Sequence, residues 1–370
     1  MTQKKTKFKI NYISELNIPN KSAYSIHVMK MCEAFSKLGY KTNLFTINSK
    51  NLTKIFKDYN INYKFNIISI FDNLKKLNFL FRIIFSIKIL LKNSKDSDKK
   101  IIYLSRSIIF ALFASVLKKN IILELHHEIS GLSKFLFFLL KYLRLIENLK
   151  YIFLHKNLKD FYKIEPKNNI VLDDATNIEN FKQNKDRKLK NTCVYIGSFF
   201  EGKGVEQIYR LAQQNKNINF HIYGEKKYLK NKKKEKNLKV FDYISYSKIP
   251  LVLSKYEVAL MPYQKKVRGR ASIWLEKYMS PLKMFDYLAA KMVIIASDLY
   301  VYKHILKNNS NCKLVRVNDD KEWSRNINLH LNRNKKNKNL KKNAFLTAKK
   351  YTWDKRCLKI VSFTKNFKKI

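Results

Sequence analysis

Apolar positions follow two periods in alternation along the chain. Short apolar runs at Phe8–Ile13, Thr42–Thr46, Ile101–Leu104, Ile121–Leu125, Tyr151–Leu154 and Ile170–Leu172 read as strands. Between them, apolar residues recur at helical spacing in Ile26–Leu38 (Val28, Met31, Cys32, Phe35 and Leu38 inward, with Gly39 ending it), Phe71–Leu91, Ile108–Leu117 and Gly131–Leu149. The run Lys182–Lys190 holds almost no apolar residue. After it the pattern restarts, with strands at Thr192–Tyr195, Phe220–Tyr223, Lys239–Tyr243, Val258–Met261 and Val293–Ala296. Helices fall at Glu206–Gln213, Ile249–Lys255, from Ser280 onward, and at Trp353–Lys368. Strand, helix and strand in succession predict parallel sheets with right-handed crossovers, an α/β chain in two doubly wound halves. The polar run sets the predicted boundaries at residues 1–183 and 184–352, with 353–370 as a separate terminal helix.

Composition narrows the function classes. The chain has 370 residues, 46% hydrophobic, which suits two domains with sizeable cores. Its formal charge of +48 raises the question of an anionic partner. Nucleic-acid binding predicts basic residues clustered on one element among aromatics, whereas here they are scattered, apart from the loops Lys226–Lys239 and Arg333–Lys342. A general bias towards Lys, Asn and Ile accounts for the charge. The second reading is attraction to an anionic membrane, for which the Phe71–Leu91 stretch sets Lys75, Lys76, Arg82 and Lys88 beside Leu77, Leu80, Ile84 and Ile87. The widely spaced Cys32, Cys193, Cys312 and Cys357 give neither a zinc pattern nor a disulfide framework, and point to a reducing compartment. Met1–Lys9 is polar and basic, unlike a signal peptide. No stretch reaches the roughly 18 uncharged apolar residues of a membrane helix. These features predict a cytoplasmic chain, peripheral at most on the inner face of the plasma membrane.

Two stretches carry candidate chemistry. In Ser280–Asp298, SPLKMFDYLAAKMVIIASD, Ser280 reads as an N-cap and Pro281 as the first helical residue, followed by Leu282, Phe285, Leu288 and Ala289 on one face. Lys283 and Asp286 share another face near the helix N-terminus, an arrangement suited to a phosphorylated, hydroxyl-bearing ligand. The chain has only 7 glycines where average usage predicts roughly 26. Four of them, Gly197, Gly202, Gly204 and Gly224, fall close together, and Glu201-Gly202-Lys203-Gly204 leads into a helix. A glycine-flanked lysine before a helix N-terminus can hold a diphosphate. Glu124, His126 and His127 lie at the carboxyl end of a predicted strand, where open α/β sheets bind ligands.

The 280–298 string resembles the donor-site segment of GT-B retaining glycosyltransferases, in particular family 4 (glycosyl transferases group 1). That family usually has Glu at the position of Asp286, Gly at that of Lys291, and often Glu at that of Tyr278. A Gly-Gly pair in its first loop corresponds to Ser22-Ala23, and a basic residue to Ser198. The resemblance implies two Rossmann-like domains facing across a cleft, with the terminal helix crossing back to the first domain. It implies transfer of a sugar from a nucleotide-sugar, a co-substrate and not a cofactor, to a glycan or lipid-linked acceptor hydroxyl in cell-surface glycan synthesis. Lys203, with Lys283 and the amides after Ser280, would stabilise the departing diphosphate; Asp286 would hold the ribose, and His126 would face the sugar. Ser22, Ala23, Gly197, Ser198, Gly202, Tyr263 (stacked on the base), Arg268, Pro281 and Leu282 complete the implied donor contacts, with Arg270 reaching towards the diphosphate. No metal is expected, because basic groups take its place. A nucleotide-sugar epimerase and a catalytically degenerate nucleotide-sugar-binding subunit are the alternatives.

Overall fold

The computed structural model describes the chain except residues 1–7, 73, 75–77, 95–100, 182–187, 230–234, 270–273, 333, 366 and 368–370. Lys75, Lys76, Leu77, Arg270 and most of the predicted 182–190 linker therefore lie outside the described residues. The chain forms two compact units, Met1–Leu172 with Trp353–Ile370, and Asp173–Thr352. The first division thus falls between Leu172 and Asp173, ahead of the polar run at which the sequence places it.

In unit 1 the strands are β1 (Lys9–Ile13), β2 (Asn17–Ile18), β3 (Thr42–Thr46), β4 (Asn48–Ser49), β5 (Asn66–Ser69), β6 (Ile101–Ser105), β7 (Ile121–Leu125), β8 (Lys150–Phe153) and β9 (Asn169–Val171). Seven of them make one parallel sheet in the order β5-β3-β1-β6-β7-β8-β9, and β2 pairs with β4 alone. The order reverses between β1 and β6, the mark of a doubly wound sheet. The helices are α1 (Ala23–Lys37), α2 (Leu52–Asp58), α3 (Phe79–Lys92), α4 (Ile108–Val116), α5 (Leu132–Tyr142) and α6 (Lys156–Tyr162). Ser22 caps α1, its Oγ accepting the Ser25 amide at 3.1 Å, so the helix starts three residues before its apolar period does. Asn78 caps α3 in the same way, which holds Phe71 and Asp72 out of the helix. Across three strands runs a polar ladder: Asn66 donates to Asn43 (3.1 Å), Asn43 to Asn11 (3.0 Å), and Asn11 to Asn93 (2.9 Å).

In unit 2 the strands are β10 (Thr192–Ile196), β11 (Asn219–Tyr223), β12 (Leu238–Phe241), β13 (Val258–Met261), β14 (Val293–Ser297) and β15 (Lys313–Val315). They form a parallel sheet in the order β12-β11-β10-β13-β14-β15, with the reversal between β10 and β13. The helices are α7 (Val205–Gln214), α8 (Ile249–Leu253), α9 (Leu282–Ala289), α10 (Asp320–Asn332) and α11 (Asn334–Ala348). Of the expected basic loop Arg333–Lys342, residues 334–342 are instead part of α11, and Arg333 lies outside the described residues. Leu340, Ala344 and Ala348, all buried, give that lysine-rich segment an inward stripe at intervals of four. The core fills both faces of the sheet, with Phe285, Leu288 and Ile294 on one and Val205, Ile208 and Trp323 on the other.

The last helix, α12 (Trp353–Thr364), belongs to unit 1 and packs on α1. Trp353, Arg356, Cys357 and Ile360 are its buried side, and Lys37 bridges to Asp354 at 2.8 Å. The four cysteines are buried and unpaired. Among the described residues no helix is long and apolar enough to cross a membrane.

Candidate functional site

The topological switch of unit 2 lies between the carboxyl ends of β10 and β13, and both loops that leave those ends supply site residues. After β10 come Gly197 and Ser198, then Gly202-Lys203-Gly204, with Gly204 as the left-handed cap of α7 (φ 85°). After β13 comes Tyr263. The glycines are required by the loop's own packing. A Cβ on Gly202 would lie 1.9 Å from the Lys266 carbonyl oxygen, and one on Gly204 1.8 Å from that of Pro262. Gly204→Ala combines left-handed strain with overpacking against backbone, and we expect it to cost at least about 2 kcal/mol. Urea unfolding checks this, and a loss below about 0.5 kcal/mol would show that the two loops separate freely.

Two ammonium groups meet around one tyrosine. Lys203 Nζ lies 5.0 Å and Lys283 Nζ 5.3 Å from the centre of the Tyr263 ring, and Lys283 Nζ stands 3.6 Å over Tyr195. The Lys283 ammonium is buried with no hydrogen-bond partner among the described residues. Burial, then the Lys203 charge, holds its pKa well below the usual lysine range. Burial also lowers the half-buried Lys203 to about 8. Gly197 makes room for this arrangement, since a Cβ there would lie 2.3 Å from Lys283 Nζ. A buried cation with no anion, beside a second cation, is costly unless a ligand brings negative charge. Tyr263 is buried and occupied by the lysines, so its ring is not exposed to stack on a base. Burial raises its phenol pKa.

The 280–298 motif differs from its expected form at its start. Pro281 is the N-cap position of α9 and Leu282 its first residue. Ser280 is not the cap, because its Oγ is taken by the chain before it, accepting the Asp174 amide at 3.0 Å and donating to Asp173 at 3.2 Å. Asp286 points inward, its Oδ1 accepting from Thr176 (2.8 Å) and Tyr246 (3.1 Å). Lys291 has φ 53°, the left-handed position just past the end of α9. A glycine at this position would therefore serve the helix end and not the ligand. Tyr278 is buried. Ser198 accepts the Tyr195 hydroxyl on its carbonyl at 2.7 Å, and Arg268 lies 3.5 Å from Glu201.

Unit 1 places its candidates at the ends of β1, β6 and β7. Glu124, buried, is a hub: Tyr12 and His126 donate to it at 2.9 Å, Arg356 Nη2 lies 2.9 Å from Oε1, and His27 Nε2 is equally close. Burial alone would raise its pKa, but His27 and Arg356 override it and hold the carboxyl well below the usual range. Burial lowers His126 to about 3, and Arg106 adds to this. The ring is therefore neutral. Its Nε2 carries the proton given to Glu124, and Nδ1 is left as an acceptor for a hydroxyl. His127 bonds the Glu128 carbonyl at 2.8 Å. His27, Glu124 and His126 bring three ligand atoms within 4.8 Å of one another, yet the Arg356 guanidinium already sits on the same carboxylate and repels a second cation. Ser22 and Ala23 open α1, where Ser22 is spent on capping.

Tyr195, Thr176, Tyr246 and Arg106 carry no signal in the sequence beyond their place near strand ends. Arg106 covers the Tyr24 ring at 3.7 Å, and its Nη1 is buried with no partner among the described residues.

Comparison with known proteins follows the same division. No curated protein is matched. Among solved structures, a glycosyltransferase from Rickettsia africae aligns over 98% of both chains at 13% identity and TM-score 0.72. HepE of Anabaena, solved with UDP and glucose, aligns over 96% of this chain and 99% of its own at 11% identity and TM-score 0.68. Sucrose-phosphate synthase of Thermosynechococcus elongatus aligns over 97% and 98% at 13% identity and TM-score 0.69. These likenesses show the fold. Residues 176–347, almost all of unit 2, match the family model of glycosyl transferases group 1. The chain thus has the GT-B fold, and the stretch of its second unit that carries Lys203, Lys283 and the 280–298 motif matches the glycosyl transferases group 1 model.

Proposed function

We propose that the chain transfers a sugar from a nucleotide-sugar to an acceptor hydroxyl of a glycan or lipid-linked glycan. The observation that carries this reading is the Lys283 ammonium, buried beside Lys203 at the switch point of unit 2 with no hydrogen-bond partner among the described residues. The bond from the sugar's anomeric carbon to the diphosphate breaks, with its electron pair leaving on the phosphate oxygen. The acceptor oxygen bonds that carbon and releases its proton. Lys203 and Lys283 stabilise the charge on the leaving group, in place of a divalent ion. Asp286, whose Oδ1 accepts from Thr176 and Tyr246, would hold the ribose. His126 would accept a hydrogen bond from a sugar hydroxyl. The family resemblance supports retention of configuration, and the lysine pair supports independence from metal; unchanged turnover in EDTA is the expected result.

The test is a thermal-shift panel of nucleoside diphosphates and their sugars, starting with UDP, which the HepE structure contains. One base should raise Tm, and Lys203→Ala should abolish the shift. No shift with any nucleotide would remove the proposal. Because Lys203 titrates near 8, affinity should hold between about pH 7 and 8, then weaken by up to tenfold per pH unit. The apo chain should move the opposite way. The folded value is depressed, so the unfolded chain binds more protons between about 8 and 10.4, and stability rises with pH across that window. Lys203→Ala should flatten the stability slope; isothermal titration of the parent and urea unfolding of both proteins at each pH read these trends.

Tyr278 favours a second reading. A buried phenol there offers no carboxylate where the family often has one, as in a subunit that binds nucleotide-sugar without transferring it. A nucleotide shift with no product from any acceptor mixture would select that reading.

A further inference from the structure

Unit 1 has an apolar surface on the outside of α3 and α5. On α5, Leu132, Phe135, Leu139 and Tyr142 recur at steps of three and four and are 63%, 70%, 40% and 85% exposed. Ser133 and Phe137 form the buried side of the same helix. On α3, Leu80 and Leu91 are similarly exposed. Helix α4 packs against both and ends in exposed Leu117, so the three helices form one contiguous layer. Singly exposed leucines are ordinary, but rows of large apolar side chains over adjoining helices mark an interaction surface.

The charge on this layer is mostly positive, with Glu15 lying 3.0 Å from Arg82 and Glu147 3.9 Å from Arg144. Segments 79–94, 108–119 and 131–145 contain no Asp or Glu, while Lys88, Lys92, Lys118, Lys119, Lys134 and Lys141 are all exposed there. The helices are short, so the layer can lie on a lipid surface but not cross it. Apolar and aromatic side chains flanked by lysines, with no carboxylate in the three segments, match the boundary between acyl chains and anionic headgroups.

We propose that the α3–α5 face docks on an anionic lipid surface, with Phe135, Leu139 and Tyr142 below the headgroups and Lys134 and Lys141 at the phosphates. The proposal stands apart from the donor site, since every residue it uses is in unit 1 and none is assigned a role in transfer.

Co-sedimentation of the full chain with vesicles tests it. Vesicles of phosphatidylcholine with about one-third phosphatidylglycerol should bind the protein, and pure phosphatidylcholine should bind it far more weakly. Raising salt from about 0.1 M to 1 M should release most of it, as the Debye length falls from about 10 to 3 Å. Phe135→Glu with Leu139→Glu should weaken binding at least about tenfold. Lys134→Glu with Lys141→Glu should weaken it by at least about 25-fold on the anionic vesicles alone, about fivefold for each lysine. All four positions are exposed, so thermal unfolding of both variants should match the parent; a variant that fails this control is replaced by Tyr142→Glu. Absence of vesicle binding, or binding that both variants leave unchanged, would overturn the proposal. So would concentration-dependent self-association that Phe135→Glu with Leu139→Glu abolishes in the absence of lipid, which would give the face to a second copy of the chain.

Discussion

Lys283→Met should abolish most sugar transfer while leaving the apo protein more stable. The methionine keeps the stem that passes Tyr195 and Tyr263 but removes the ammonium. In the apo chain that ammonium is buried, without a hydrogen-bond partner among the described residues, and close enough to Lys203 to feel its charge. Both effects oppose folding, so their removal should raise the unfolding midpoint. In the complex the same group would face a diphosphate, and its loss should lower kcat/KM by about 100- to 1,000-fold, the scale seen when one preorganised donor to a developing negative charge is deleted. The nucleotide-induced rise in Tm should shrink or vanish as well. A stability gain paired with a functional loss is the signature of a site that stores strain for its ligand. Scanning calorimetry with and without nucleoside diphosphate, together with a product assay, reads all three. A lower apo Tm with normal turnover would make Lys283 a packing residue.

The sheet strands were legible in the sequence because both faces of each sheet are covered, which turns a parallel strand into an unbroken apolar run. Thr42–Thr46, Ile121–Leu125 and Val258–Met261 fall where the pattern puts them. β5 was hidden because Asn66 serves the buried asparagine ladder and the strand is only half-buried. β15 is three residues long and gives no period to read. The Lys-Gly-flanked loop and the 280–298 helix were visible as chemistry, since rare glycines and a lysine beside a helix start are one-dimensional signals. What each side chain touches was not. Ser280 looked like a cap because nothing in the string shows that Asp173 and Asp174, more than a hundred residues earlier, take its hydroxyl. Tyr195 looked like any strand residue until Lys283 was placed over its ring. The Glu124 hub is assembled from α1, β1, β7 and α12, four elements spread over most of the chain, and only the histidine beside Glu124 could be suspected.

That hub carries the second large effect. Glu124→Ala should destabilise the protein by about 3–5 kcal/mol, the usual result when one member of a buried ion pair is removed and the other is left uncompensated. Arg356 would remain buried and keep the Leu172 carbonyl (3.2 Å) and the Met31 sulfur (3.7 Å) near its guanidinium, but it would lose its Glu124 carboxylate. Tyr12 and His126 would lose a carboxylate partner at the same time. α12 should suffer most, because Arg356 is one of its buried anchors, and hydrogen exchange of its amides should speed up before that of β7. Pairing the deletion with Arg356→Met removes the buried guanidinium that has lost its carboxylate, so the double variant should recover part of the loss, and the cycle should give a coupling of at least about 1 kcal/mol. The pH dependence has a fixed sign. Glu124 is held below its unfolded value of about 4.3, so its contribution is fully present above about pH 5 and is lost as pH falls towards its folded value. Glu124→Gln should therefore flatten the acid limb of the stability curve while lowering its plateau near pH 7. Urea unfolding from pH 3 to 7 measures both features. A loss under about 1 kcal/mol for Glu124→Ala, with an unchanged acid limb, would mean that water replaces the carboxylate and that α12 is held by its apolar side alone.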